Sequence, residues 1–505
     1  MRQGKEEVSR AAFAVAIVAA VTGCAAPSGK PGEAASAKPT FSLPHIGLFD
    51  SPGEKKPMIA DLKPVPYQAS SLAIGEQKDL ARQRGEGLGF VRVETLERYL
   101  NGIRGRLVSA SGVSNVPGQV LVLANPAYAA YSTADGNVYV AMGWLPYLEN
   151  EDEVAAILAH ELSHVLLTHH SADIVSGVQK KGQALHELGV NAKMALERTS
   201  TVAKSDQRAL ATVQASMALG EKLVMPAWGR RQEREADLLG VDLLVRAGYS
   251  PAAMTTMLEK YRAWEKRTQK SDEELQKDVA DVAQKDLGKA MSLVLSHVVD
   301  KVSASHPDTG QRIEDIATYL DRHYAEIKIP DYRVSPWTAV KGKPDVKEIT
   351  HNYESAFAAR KLLDEHKSKE AYAKAQASAS GRTAKDAYPN WIFSKSAAAT
   401  GQNAEAIRAL QRAIGANEPI REIYEEMLLV QERSGRFDTA VQWTDKASIT
   451  FGEADRWVPH KIRLLRKLGR ENEASALTLK CTVETPDWRH QCQEANQTPL
   501  LRATR

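Results

Sequence analysis

Two histidines four residues apart, His160 and His164 in the run His160-Glu161-Leu162-Ser163-His164, carry the most chemistry in this chain. On a helix they project from one face, one turn apart, which suits two imidazoles to a single Zn²⁺. Glu161 follows the first of them and would lie beside the ion, where a carboxylate can take a proton from water. A second cluster lies further along. In Glu233-Arg234-Glu235-Ala236-Asp237-Leu238-Leu239-Gly240, Glu233 and Asp237 are again four apart on a helical pattern. Two histidines and one glutamate leave zinc a fourth position for water, as hydrolysis requires. A carboxylate one turn beyond a ligand can accept an imidazole N–H and orient it. Glu235 competes with Glu233 for the ligand position.

The residues around the motif read as elements that can hold it. Asn150 is a good N-cap, Glu153 sits at the capping-box position, and the first turn is acidic. Val154, Ile157, Leu158, Val165 and Leu166 supply an apolar packing face. Before this helix come two strand-like runs, Gln119–Leu123 and Asn137–Val140, with Asp135-Gly136 as the turn before the second. A helical pattern begins near Ser70, breaks at Gly85, Gly87 and Gly89, and resumes toward Val108. From Glu151 to Tyr324 nearly everything reads as helix. His169 and His170 fall off the ligand face and read as surface residues or as neighbours of the site, not as ligands.

The combination His160-Glu161-x-x-His164 and Glu233-x-x-Ala236-Asp237-x-x-Gly240 is similar to the HtpX and CAAX-prenyl-protease-like zinc metallopeptidases. The run Glu149–Ala159 resembles that family too. The resemblance implies a zincin-like metallopeptidase fold over residues 67–328, with a small β-sheet, one Zn²⁺ per chain and peptide-bond hydrolysis. It makes Glu233 the third ligand, Glu161 the general base and Asp237 a supporting residue of the catalytic set. Tyr131, Ser132, Thr133 and Ala134 lie where the family places a strand beside the cleft, to which an extended substrate could add. Ser305-His306-Pro307 with Arg312 resembles the His-Pro loop of the periplasmic BepA-like branch. There His306 would be an inhibitory fourth ligand.

The remaining segments give the context. With 505 residues the chain exceeds one compact core and fits two or three folded units plus tails. Aromatics are sparse at 6%, which favours a mostly α-helical protein. Net charge is +3 from 66 basic and 63 acidic residues, with no basic stripe, so no nucleic-acid partner is expected. Residues 1–23 read as a signal peptide, and Val21-Thr22-Gly23-Cys24 looks like a bacterial lipobox. By resemblance to bacterial lipoproteins, Cys24 would carry a lipid anchor in the outer membrane, facing the periplasm. Residues 24–66 read as a tether and 329–350 as a linker. In an oxidising compartment Cys481 and Cys492 suggest a disulfide.

Residues 351–500 hold an internal repeat. Gly401, Gly435 and Gly469 are 34 residues apart, as are Ala406, Ala440 and Ala474, and small residues recur at Ala413, Ala447 and Cys481. A fainter unit with slipped register begins at Lys367. The pattern resembles the tetratricopeptide repeat, an α-helical solenoid whose stacked helix pairs offer a binding surface. The chain as a whole then reads as a periplasmic protease of outer-membrane protein quality control. Its expected substrates are unfolded or stalled envelope proteins, and its expected repeat-domain partner is the outer-membrane assembly machinery. The alternative is a chaperone or assembly scaffold with a mostly latent zinc site.

Overall fold

A computed structural model describes residues 55–86, 88–170, 230–268 and 309–497, apart from 417, 453, 486 and 487. The fold is mostly helical with one small sheet, as expected. Its contacts define two compact units. One holds the residues up to Pro64 with Leu166–Pro330, the other Val65–Val165 with Asp331–Arg505.

In chain order, the second unit begins with α1 (Glu76–Glu86) and α2 (Glu94–Ser111). Helix α1 starts six residues later than the pattern at Ser70 suggests. Gly75 before it takes a left-handed φ of 93°. The Asp135 carboxylate accepts the N–H groups of Gly75 at 2.7 Å and Ile74 at 3.2 Å. Helix α2 buries Leu96, Leu100, Ile103 and Leu107 along one face.

Strands β1 (Val120–Leu123), β2 (Ala130–Ser132) and β3 (Val138–Ala141) form a sheet of order β1-β3-β2. β1 runs parallel to β3 with Val120 opposite Val138, and β2 runs antiparallel to β3 with Tyr131 opposite Tyr139. All three strands are buried along their length, which is why the first and third read as unbroken apolar runs. The side-chain amide of Asn101 on α2 completes β1 by pairing with both the N–H and the C=O of Val120. The expected turn at Asp135-Gly136 joins β2 to β3. Gly136 has φ 80°, and a Cβ there would meet the Pro117 carbonyl oxygen at 2.4 Å, so only glycine fits. Helix α3 (Glu151–Leu166) follows and carries both histidines.

The first unit contributes α4 (Arg230–Arg246), α5 (Ala252–Thr268) and α6 (Thr309–Tyr324). Within residues 24–66, Met58 and Ile59 are buried, and the Asp242 carboxylate explains their order. It accepts Ile59 N–H at 2.8 Å and the hydroxyls of Tyr319 at 2.9 Å and Tyr324 at 2.7 Å. Burial pushes the Asp242 pKa up despite those three donors.

The second unit resumes at residue 331. Between 329 and 350, Pro336 sits in the first turn of α7 (Val334–Lys341) and Pro344 opens α8 (Pro344–Asp364). Proline costs little at these positions because the first N–H groups of a helix have no partner to lose. Then come α9 (Ser368–Ser378), α10 (Ala387–Ala399), α11 (Asn403–Ile414), α12 (Arg421–Arg433), α13 (Phe437–Phe451), α14 (Ala454–Lys467), α15 (Glu471–Glu484) and α16 (Arg489–Asn496). The repeat is visible in the helix ends: α10, α12 and α14 stop two residues before Gly401, Gly435 and Gly469, and α11, α13 and α15 start two residues after. The three glycines have φ of 80°, 71° and 73°, the left-handed cap that lets the chain reverse. Ala406, Ala413, Ala440, Ala447, Ala474 and Cys481 are all buried where helices cross. Cys481 and Cys492 lie at disulfide distance, joining α15 to α16.

Candidate metal centre

Helix α3 is fixed at its start by residues from several parts of the second unit. Asn150 caps it as predicted, its Oδ1 accepting Glu153 N–H at 2.9 Å. The Glu153 carboxylate reaches back to Glu149 N–H at 2.8 Å, one residue earlier than a standard capping box. Trp337 and Lys341 on α7 both donate to the Leu148 carbonyl, at 2.7 Å each. Arg333 N–H donates to Asp152 at 2.6 Å, and Arg106 pairs with Glu151 at 2.7 Å. Acidic residues in the first turn also favour the positive helix end. The helix that bears the chemistry is thereby held in position by groups that do none.

His160, Glu161 and His164 are buried, with at most 3% exposure. The Nε2 atoms of the two histidines are 3.3 Å apart and their rings stand at 80°. Two nitrogens bound to one tetrahedral zinc at the usual length would be about 3.3–3.4 Å apart. One ligand atom from each of His160, His164 and Glu233 lies within 4.8 Å of the others, and all three residues are buried. This donor set of two imidazoles and one carboxylate fits a divalent metal, zinc being the usual ion for it.

Glu233 and Asp237 lie one turn apart at the start of α4. Their common partner is Arg312, in the first turn of α6. Its guanidinium forks onto Asp237 through Nε and Nη2, at 2.7 Å each, and Nη1 lies 3.0 Å from Glu233 Oε2. All three side chains are buried. Burial alone would lower the arginine pKa, but the charges of Asp237 and Glu233 overcome this and hold it firmly protonated. A buried, bidentate arginine fixes the rotamer of the carboxylate it touches. Sequence reading placed Arg312 only in the loop after His306. The missed signal is that two buried carboxylates one turn apart need a cation.

Glu235 is placed differently. Its oxygens pair with Arg231 Nε at 2.9 Å and His169 Nε2 at 3.2 Å. His169 and His170 are both buried, a correction to any reading of them as surface residues. Burial, followed by the neighbouring His169, lowers the His170 pKa to about 3.

Tyr131 and Ser132 stand on β2, with Thr133 and Ala134 at its end. Ser132 Oγ lies 3.3 Å from Glu161 Oε2, so the strand touches the carboxylate between the histidines. Tyr131 and Thr133 turn to the other side and bond to α1. His306 and Cys24 lie outside the described residues.

Residues 94–320 match the model of Peptidase family M48. The chain is 28% identical over 195 residues to the Beta-barrel assembly-enhancing protease of Escherichia coli (strain K12), covering 38% of each chain. It is 24% identical over 248 residues to Mitochondrial metalloendopeptidase OMA1 of Schizosaccharomyces pombe, covering 49% of this chain and 60% of that one. It is 35% identical over 144 residues to Metalloprotease LoiP of Escherichia coli (strain K12), covering 28% of this chain and 50% of that one. The match to the first of these spans well under half of its length. Residues 94–320 thus carry a Peptidase M48 domain, and the chain resembles the beta-barrel assembly-enhancing proteases.

Proposed function

We propose that this protein is a zinc-dependent endopeptidase that degrades misfolded or stalled envelope proteins in the periplasm. The observation that carries the reading is the buried grouping of His160, His164 and Glu233 with Glu161 between the histidines. In this reading one zinc is held by those three ligands, and Cys24 carries a lipid anchor to the outer membrane. No helix among the described residues is long and apolar enough to cross a membrane. The repeats would bind outer-membrane assembly machinery, an assignment supported by the names of the relatives and by the stacked helix pairs.

A zinc ion at this site, when bound, polarises a carbonyl and makes water a nucleophile near neutral pH. Glu161 is placed to move the protons. Its carboxylate would accept one from the attacking water and return it to the leaving amine. The Ser132 hydroxyl holds one of its oxygens, which fixes the orientation from which it works. Among the described residues β2 is the outer strand of the sheet, and in this reading an extended substrate would add to it by main-chain hydrogen bonds. Arg312 anchors Glu233 and Asp237 against movement during turnover.

The test is Glu161→Gln assayed on an unfolded protein substrate beside wild type, with metal content measured on both. The expected result is one zinc per chain in each and a rate loss of about 10²–10⁴-fold in the variant. Equal rates would sink the peptidase reading. A cellular role that survives the change would favour the scaffold alternative.

A further inference from the structure

Helix α1 has no part in the metal centre, yet it is bonded both to the strand that touches Glu161 and to the helical repeats. On the strand side the contact is Asp79, which is 3% exposed. One of its oxygens, Oδ2, accepts three hydrogen bonds: Thr133 Oγ1 at 2.7 Å, Asn137 Nδ2 at 2.8 Å and the Tyr139 hydroxyl at 2.8 Å. Those donors stand at the two ends of the β2–β3 turn and within β3. One turn further along α1, Gln83 Oε1 accepts the Tyr131 hydroxyl at 2.7 Å. Strand alternation does the rest: residues 131 and 133 face α1, and Ser132 between them faces Glu161 at 3.3 Å.

On the repeat side the contact is Glu418, just before α12. Its carboxylate pairs with Arg84 Nε on α1 at 2.8 Å and with Arg92 Nη1 at 3.2 Å. Arg84 and Glu418 are only about one-fifth exposed, so this bridge is less screened than a surface pair. The same guanidinium stands over Phe90 at 5.5 Å, and Phe90 stacks on Tyr139 of β3. Gly89 approaches the repeats so closely that a Cβ there would lie 2.6 Å from Ile420 Cγ2. Helices α12 and α13 both pack against α1. The two sets of contacts meet on one short helix.

We propose that α1 is a strut through which the helical repeats hold the substrate strand in register with the catalytic base. Asp79 is its positioning residue and Glu418 its anchor on the repeat side. Loss of the anchor lets α1 shift, and β2 shifts with it because Asp79 and Gln83 grip Tyr131, Thr133, Asn137 and Tyr139. The strut rests on the peptidase reading only in naming β2 as the substrate strand. The hydrogen-bond path itself does not depend on it.

The deciding experiment is Glu418→Arg in the full-length, zinc-loaded protein, which sets three arginines against one another. KM for an extended unfolded substrate should rise about tenfold, the worth of one charge-assisted hydrogen bond. Amide hydrogen exchange across residues 130–140 should quicken, while zinc content stays at the wild-type value. Combining Glu418→Arg with Arg84→Glu restores an opposite charge on α1 and leaves Arg92 on its partner Glu97, and it should recover both readouts. Asp79→Asn should move KM and exchange in the same direction as Glu418→Arg, with no change in the pairing at residue 418. Unchanged exchange and KM in Glu418→Arg overturn the strut, as does a charge swap that folds normally and restores neither. A wild-type protein that cleaves no substrate removes the peptidase reading instead, and exchange at residues 130–140 still decides the strut.

Discussion

The histidine helix and the helical repeats are held by opposite means. Around the start of α3 the stabilising groups come from far along the chain: Lys341 reaches Leu148 across 193 residues and Arg333 reaches Asp152 across 181. Many are charged, and the carboxylates among them, Glu151, Asp152 and Glu153, are buried. In the repeats the same glycine cap and the same buried alanines recur every 34 residues, and helices pack mainly on their neighbours in sequence. A solenoid of that kind distributes stability over many similar interfaces. The site concentrates it in a few groups that cannot be lost singly. The two regions should therefore fail differently when a residue is changed.

The sharpest break should come at Arg312. Arg312→Met keeps much of the volume but takes the guanidinium away from the buried Asp237 carboxylate. Removing one partner of such a group costs about 3–5 kcal/mol. Urea unfolding of the variant should show a loss in that range. A loss under 1 kcal/mol would mean that the site does not depend on this one cation.

The repeats carry charge too, but near the surface, and there the effect should be smaller and dependent on pH. Glu432 on α12 takes Lys467 and Arg463 from α14. Burial alone would raise its pKa, but the bonds and charges of Lys467 and Arg463 hold it below the ordinary 4.5. A depressed carboxylate stabilises the fold above its unfolded pKa and loses that contribution as pH falls through the folded value. Wild type should therefore exceed Glu432→Gln in thermal stability at pH 7 by about 1 kcal/mol. The gap should close as pH drops below 4.5. A gap that persists at pH 3 would point to packing rather than charge.

What could be read from the sequence follows the same division. The ligand helix was legible because its cap, acidic turn and apolar face are local, and the histidine spacing states its own chemistry. The repeats were legible because their period is written three times. The partners of Arg312 were not: the resemblance marks it as part of the His-Pro loop, but nothing in a sequence says that it meets Asp237 across 75 residues. Asp79 was hidden for the same reason: in the sequence it is one charged residue in a polar helix, and only the fold brings three donors to it. His169 and His170 were placed by helical angle, but α3 ends at Leu166 and Thr168 has a φ of 52°, so that angle no longer applies. Residues 329–350 read as a linker from their prolines, because helix-initiating and helix-breaking prolines look alike without the backbone.

The smallest expected effect tests the slipped unit of the repeat. Ala371 and Ser378 are buried and stand 35 residues before Ala406 and Ala413, one more than the period elsewhere. With that offset, the residue equivalent to Gly401 is His366. It has a φ of 61°, between α8 ending at Asp364 and α9 beginning at Ser368. The left-handed cap is therefore kept while the residue suited to it is missing. A non-glycine residue in that region is strained by the approach of Cβ to backbone oxygen, at about 1–2 kcal/mol. Glycine relieves the strain but gives back part of the gain through a more flexible unfolded chain. His366→Gly should stabilise the protein by about 0.5–1 kcal/mol, seen as a higher unfolding midpoint in urea with an unchanged slope. Gly435→Ala, at the regular position, should shift the midpoint the other way by a similar amount. Two opposite shifts would identify residue 366 as the cap of a fourth unit. A destabilised His366→Gly would mean that the imidazole makes contacts worth more than the strain, and that α8 and α9 belong to the repeat only by packing.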